Sequence, residues 1–289
     1  MNAEHWYFLI KGEYENKGAF VNFYAHGSHL GDALANVLEC TKIVGLQNCQ
    51  LIEANRLDFI DGFELPEKVE RLSNDVQYQN SFSLFELNGE EFFISPTGIV
   101  KSTEDGEYDF ELIKEHFVAY ANDENGVFNL IMTISQANLS DVFYQCAEFL
   151  PDVTSIWIYL LGYWENEDKT ELWINRYKNE KNEILDFIKT HEPDLIQNGF
   201  IDIVLNCQEG NTNLILDEHK QIRLTTLSEF IFNEFGKSLI DLGYEQTRDF
   251  YSLEYGYYHW HFRPAKSLDK GGFRKFLQRN KFEILEHIE

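Results

Sequence analysis

Apolar and polar positions alternate loosely over residues 6–14 and again over 19–24, predicting two strands joined by the polar turn at 15–18. Ser28 then stands as a helix cap. It precedes Leu30, Leu34, Val37, Thr41 and Val44, spaced by fours and threes, so an amphipathic helix is expected to end near Gly45. Residues 50–54 read as the next strand. Residues 77–87 and 91–95 flank Asn88-Gly89, a pair suited to the two positive-φ positions of a tight hairpin. Residues 98–102 predict a further strand, and the spacing of Phe110, Ile113, Phe117 and Tyr120 predicts a second helix. The polar stretch 121–126 marks a boundary.

The pattern then restarts. Phe128, Leu130, Met132 and Ile134 alternate as a strand, and Asn138 is placed to cap a helix bearing Leu139, Val142, Phe143, Cys146 and Leu150. Residues 156–161 form a buried-strand pattern, 171–175 a second, and Ile184, Leu185 and Ile188 mark a helix. Residues 200–205, 213–216 and 221–225 read as three strands of a meander, with Glu209-Gly210-Asn211 as one turn. Thr226 and Glu229 have capping-box spacing ahead of Leu227, Ile231, Phe235, Leu239 and Leu242. Late strands are expected over 250–253 and 257–263, and a final short helix carries Phe273, Phe276 and Leu277.

Strands occur in runs with short turns, separated by helices. The expected class is α+β: two sheet-plus-helix halves, mostly antiparallel strands with helices packed on one side. The boundary divides the chain into an N-terminal α+β domain, 1–122, and a C-terminal α+β domain, 123–289. No internal repeat is evident.

Composition narrows the class of protein. With 289 residues, 44% hydrophobic and 15% aromatic, the chain can bury a sizeable core, which excludes global disorder, a coiled-coil rod and a collagen-like fibre. The longest near-continuous apolar run, 156–164, is strand length and far below the roughly 20 residues of a membrane helix. The first residues lack a basic stretch followed by an apolar one, so a cytoplasmic protein is expected. Cys40, Cys49, Cys146 and Cys207 lie far apart without a CxxC pair, which points to free thiols.

Charge changes the picture more. The formal net charge is −25, almost all of it from residues 51–250. Such a surface repels nucleic-acid backbones and anionic membranes, so neither is expected as a partner. The exception is the tail, where Arg263, Lys266, Lys270, Arg274, Lys275, Arg279 and Lys281 face only Asp269. Its Lys270-Gly271-Gly272 segment opens a helix and can offer backbone N–H groups to a phosphate, but the P-loop frame is missing. The favoured alternative is a basic helix docked on the protein's own acidic surface.

Two clusters carry candidate metal chemistry. His259 and His261 stand two apart in a strand pattern, so both imidazoles share a face and can bind one metal side by side, although no third ligand declares itself. Otherwise they are hydrogen-bonded rings among aromatics. His26, His29 and Asp32 lie within seven residues near a helix start, as metal ligands, as an acid/base pair, or as a plain turn with Asp32 favourable in the first helical turn. Residues 103–109 resemble a calcium loop in composition but not in spacing. No dinucleotide-binding, nucleophile-elbow, kinase or EF-hand frame occurs, and no motif calls for a cofactor.

The leading expectation is an acidic protein-binding module that neutralises a basic partner in the manner of a bacterial toxin-immunity protein. Its binding residues are sought in 102–125 and 163–168, among Glu104, Asp105, Glu107, Asp109, Asp123, Glu124, Glu165, Glu167 and Asp168. One alternative is an enzyme with a dispersed, metal-assisted hydrolytic site near His259 and His261. Another is a non-catalytic scaffold or oligomeric module. The sequence leans away from catalysis and leaves the oligomeric state open.

Overall fold

The structure, a computed structural model, describes residues 3–59, 62–87, 93–102, 110–122, 125–164, 169–178, 180–255 and 259–288. It is α+β, with mostly antiparallel sheets and, among the described residues, five α-helices and seventeen strands.

The first part of the chain forms β1 (Glu4–Tyr14), β2 (Lys17–Gly27), α1 (Leu30–Thr41), β3 (Gln47–Arg56), β4 (Val69–Arg71), β5 (Val76–Gln79) and β6 (Ser83–Phe85). They make a sheet in the order β3-β1-β2-β5-β4, with β6 also on β2. Glu15 and Asn16 turn β1 into β2 with φ of 48° and 64°, the backbone whose twist matches the flanking strands. Trp6, Phe8, Ile10, Val21 and Phe23 point to one face and share a core with Ala33, Leu34 and Val37 of α1.

The remainder forms β7 (Ile99–Lys101), β8 (His116–Asn122), β9 (Val127–Thr133), α2 (Leu139–Glu148), β10 (Ser155–Leu160), β11 (Thr170–Asn175), α3 (Lys181–Thr190), β12 (Ile201–Cys207), β13 (Thr212–Leu216), β14 (Ile222–Thr226), α4 (Glu229–Asp241), β15 (Glu245–Gln246), β16 (His259–His261), α5 (Lys270–Arg279) and β17 (Glu283–Ile288). Nine of these strands form a sheet ordered β15-β8-β9-β14-β13-β12-β10-β11-β17, in which only the β15–β8 pair is parallel. Alternate residues such as Leu130, Met132, Ile156, Ile158, Ile203, Leu205 and Leu224 share one core with residues of all four C-terminal helices.

β7 and β16 pair with each other as a separate, two-stranded sheet. Strand β8 belongs to the large sheet, whereas β16, late in the chain, sends Trp260 and Phe262 into the core of the small one.

Several local expectations are corrected. Residues 110–120 do not form a helix: Phe110–Leu112 is a single 3₁₀ turn, and Phe117 and Tyr120 lie in strand β8. The four spaced aromatics and aliphatics go to different places. Phe110 and Ile113 join a small cluster with Ile99 and Leu253, Phe117 enters the main core opposite Met132, and Tyr120 is exposed. Pairing with β9 outweighs the helical spacing. The cap of α1 is His29 rather than Ser28, and that of α4 is Ser228 rather than Thr226. Thr226 is held in β14, and its hydroxyl accepts from the Ser228 N–H. Asn138 precedes α2 as expected, but its side chain donates to Glu115 instead of capping. Residues 250–253 form no strand; a 3₁₀ turn spans Leu253–Tyr255. The Asn88-Gly89 hairpin lies outside the described residues.

The basic tail is partly internal. Asp269 caps α5 by accepting from the Gly272 N–H at 2.6 Å. Lys270 is fully buried and donates to the Trp164 carbonyl at 2.9 Å, and Arg274 pairs with buried Glu171. All four cysteines are free, and Cys40, Cys146 and Cys207 are buried. No helix among the described residues is long and apolar enough to cross a membrane.

Candidate metal centre

Strand β16 has two working faces. Its register on β7 pairs His259 with Lys101, Trp260 with Val100 and His261 with Ile99. Strand periodicity then separates the side chains. The Trp260 indole meets Trp6 edge-on at 5.1 Å in the small-sheet core. His259 and His261 turn the other way, toward the β13–β14 hairpin.

That approach needs bare backbone. Gly199 donates to the Phe262 carbonyl at 2.9 Å, and Phe262 donates to the Gly98 carbonyl at 2.8 Å. A Cβ on Gly199 would lie 1.9 Å from the Gly98 oxygen, and Gly98 itself has φ of +109°. Both positions therefore favour glycine for steric and conformational reasons.

The hairpin loop, residues 217–221, supplies the third ring. Its backbone closes by Lys220 N–H to Asp217 O at 3.0 Å and Asp217 N–H to Gln221 O at 3.1 Å. The Asp217 carboxylate also accepts from the Gln221 N–H at 2.8 Å, and Arg223 sits 2.6 Å from its other oxygen. Lys220 takes a left-handed φ of 59°. Its buried ammonium donates to Asn198 O at 2.5 Å, which anchors the loop from below. This fixed turn presents His219.

The three imidazoles form a near-equilateral triangle. Ring centroids are 5.0 Å apart for His219–His259, 5.1 Å for His219–His261 and 5.0 Å for His259–His261. One nitrogen of each ring lies within 4.8 Å of the others, and His219 Nε2 is 3.2 Å from His259 Nε2. Two nitrogens on one tetrahedral zinc stand about 3.3 Å apart, given bond lengths near 2.0–2.1 Å. The pair is already at coordination distance.

The outer nitrogens have polar partners. His261 Nδ1 is 2.8 Å from the Gly199 carbonyl. A carbonyl only accepts, so Nδ1 carries the proton and Nε2 keeps its lone pair. His219 Nδ1 is 3.5 Å from Glu218 Oε1. A carboxylate or carbonyl behind an imidazole is the arrangement that orients a histidine ligand and raises its basicity. The inner nitrogens of His219 and His259 are also at hydrogen-bond distance, so an N–H···N bond accounts for that pair.

The electrostatics favour neutral rings. Burial lowers the His219 pKa, with His259 adding to that effect and Glu218 opposing it. Burial, His219 and His259 hold His261 well below the usual imidazole value. Behind them, burial and the neighbouring Glu218 charge push Asp202 up to about 9, so it is protonated at neutral pH. Burial also works against ionised Glu218, but its hydrogen bond with Asp202 and the nearby His219 and Lys220 hold it below the usual carboxyl value. The order Asp202, Glu218, His219 thus places one negative charge behind the triangle. At its edge, the half-exposed Tyr163 ring lies 5.2 Å from His261.

No protein-family model, curated protein or solved structure matches the chain.

The structure thus unites His259 and His261 with His219, which no motif in the sequence marks. His219 sits in a turn 40 residues upstream, and the only local signal is the dense Asp217-Glu218-His219-Lys220 run. His26 and His29 are placed elsewhere: neither belongs to a potential metal group among the described residues. His26 meets His5 edge-on at 4.0 Å, and His29 caps α1. The acidic candidates Glu104, Asp105, Glu107, Asp109, Asp123, Glu124, Glu165, Glu167 and Asp168 all lie outside the described residues.

Proposed function

We propose that this protein binds a divalent transition-metal ion of the zinc class at His219, His259 and His261 and uses it for metal-assisted hydrolysis. The supporting observation is the convergence of three half-buried imidazoles, with a carbonyl behind His261 and a carboxylate behind His219. Three protein nitrogens leave a fourth position for water or substrate, the donor count of catalytic zinc sites; structural sites are closed by four protein ligands. A zinc ion held there would supply Lewis acidity and would lower the pKa of a water bound at the fourth position. The chain's own groups hold and orient it: Gly199 fixes the His261 ring, and Glu218 backs His219.

The test is elemental analysis of chelator-treated protein after titration with Zn²⁺, with Co²⁺ spectroscopy as a second readout. One equivalent per chain, lost in a His259→Ala, His261→Ala double variant that still folds, is expected. Less than about a tenth of an equivalent, with no binding on titration, overturns the reading. Bound metal without metal-dependent hydrolysis of p-nitrophenyl ester or phosphate probes overturns its catalytic half alone.

A second reading rests on charge. The net charge of −25 supports a protein-binding role in which acidic segments cover a basic partner, as toxin-immunity proteins do. Such an attraction weakens with salt. Pull-down from the native host at low and then high ionic strength should return a stoichiometric basic protein that dissociates as salt rises. A clean bait at low salt removes this reading.

A further inference from the structure

The small sheet has a second side. Opposite the α1 core, Leu9 and Phe20 meet Phe93, Ile94, Phe110, Ile113 and Leu253 without filling the space between them. The resulting cavity measures about 440 Å³ and is within the range that holds small organic ligands. Its walls are mainly apolar, yet Glu53 of β3, across from Leu9 of β1, lines it.

Glu53 is 9% exposed, and its Oε1 has no hydrogen-bond partner. A buried, unsatisfied carboxylate oxygen is costly and marks a place where something else can donate. Burial raises the Glu53 pKa, and the charge of nearby Lys101 opposes that shift. The same cavity is lined by Lys11, Lys101 and Lys114, against Glu53 and Glu111. A purely cationic ligand would meet three ammonium groups; a purely anionic one would leave Glu53 unsatisfied. A zwitterion answers both.

We infer that this cavity binds a small zwitterion with an apolar body, of the α-amino-acid class, its ammonium donating to Glu53 Oε1, its carboxylate lying toward the lysines and its side chain on the aromatic wall. The inference is independent of the metal centre and uses none of its residues.

Isothermal titration of the full chain with L-phenylalanine, and separately with 3-phenylpropionate, tests it. The second probe keeps the ring and carboxylate and lacks the ammonium. Saturable one-to-one binding of L-phenylalanine is expected, at least about tenfold tighter than 3-phenylpropionate. In Glu53→Gln, which keeps the side chain's shape, L-phenylalanine should weaken by about tenfold or more while 3-phenylpropionate changes little. A thermal melt of that variant confirms that it folds. Absence of saturable L-phenylalanine binding at about 10 mM overturns the inference. So does equal affinity for the two probes, or an unchanged L-phenylalanine affinity in Glu53→Gln.

Discussion

Histidines gather in two regions of this molecule, and the two differ in whether their rings converge. At the front of α1, His29 Nδ1 accepts from the Gly31 N–H at 3.0 Å, and its Nε2 lies 3.2 Å from Asp32. His26, three residues earlier, packs its ring against His5. At the β13–β14 hairpin the outer nitrogens of His219 and His261 are engaged with Glu218 and Gly199, and the rings converge on one another. Both regions hold two or more histidines and a carboxylate close together. What separates the helix cap from the proposed cation site is convergence: one nitrogen of each of three rings falls within 4.8 Å of the others.

The sharpest break in that comparison is metal content. Changing a group behind a ligand typically costs 10–100-fold in metal affinity, so removing a ligand by His219→Ala should cost at least about 100-fold. Glu218→Gln should cost about tenfold. His26→Ala and His29→Ala should leave Zn²⁺ affinity unchanged, read by competition with a chromophoric chelator. If the α1 histidines matter as much as His219, the distinction between the regions is wrong. A second consequence is linkage: Zn²⁺ at 100 times its dissociation constant should stabilise the folded chain by about 2.7 kcal/mol, and should not stabilise His219→Ala.

Next in size is the steric support. Gly199→Ala would place a Cβ 1.9 Å from the Gly98 oxygen, so β16 or its partner must move. Overpacking of this kind costs about 1–3 kcal/mol, and here it should also lower Zn²⁺ affinity, because His261 is held by the Gly199 carbonyl. Gly236, inside α4 with nothing within 4 Å of its absent Cβ, is the contrast. Gly236→Ala should stabilise by about 0.5–1 kcal/mol through helix propensity and leave metal binding alone. Chemical denaturation of both variants, with and without Zn²⁺, separates the effects.

These contrasts also show what the sequence could and could not reveal. Strands with strong local alternation, such as β1, β10 and β12, and helices with clean apolar spacing, such as α1 and α5, were legible because one face is buried and the other is not. The stretch 110–120 was not, because its four spaced apolar residues serve separate clusters that exist only after β8 pairs with β9. β17 is illegible for the opposite reason: it is exposed along its whole length as an edge strand and carries no burial pattern. The alternation of His259 and His261 with Trp260 and Phe262 was visible, and the shared face of the two histidines followed from it. The third ring was not visible, because nothing within the turn at 217–221 announces that a strand 40 residues later will cross it. Helix caps failed by one or two residues, since Ser28, His29, Thr226 and Ser228 can all accept a backbone N–H and only the chain's entry angle chooses among them.

That competition for the α1 cap gives the smallest and most specific prediction. His29 caps through a lone pair on Nδ1, so the bond exists only while the ring is neutral. Loss of a capping bond costs about 0.5–2 kcal/mol, so His29→Ala should destabilise the protein by about 1 kcal/mol at pH 7.5. Burial lowers the His29 pKa below its ordinary 6.5, with Arg263 adding to the shift and Asp32 opposing it. The unfolded chain therefore binds the proton first on acidification. The contribution of His29 is complete above pH 6.5 and falls away as the pH drops toward the folded-state value. The stability gap between the natural protein and His29→Ala should accordingly shrink below pH 6.5, while His29→Asn, whose side-chain oxygen caps without titrating, should keep its advantage over alanine throughout. A gap that stays constant from pH 7.5 down to pH 5 in urea titrations would mean that the imidazole lone pair does not hold the helix start. The contrast between a capping histidine and converging ones would then lose its better-defined half.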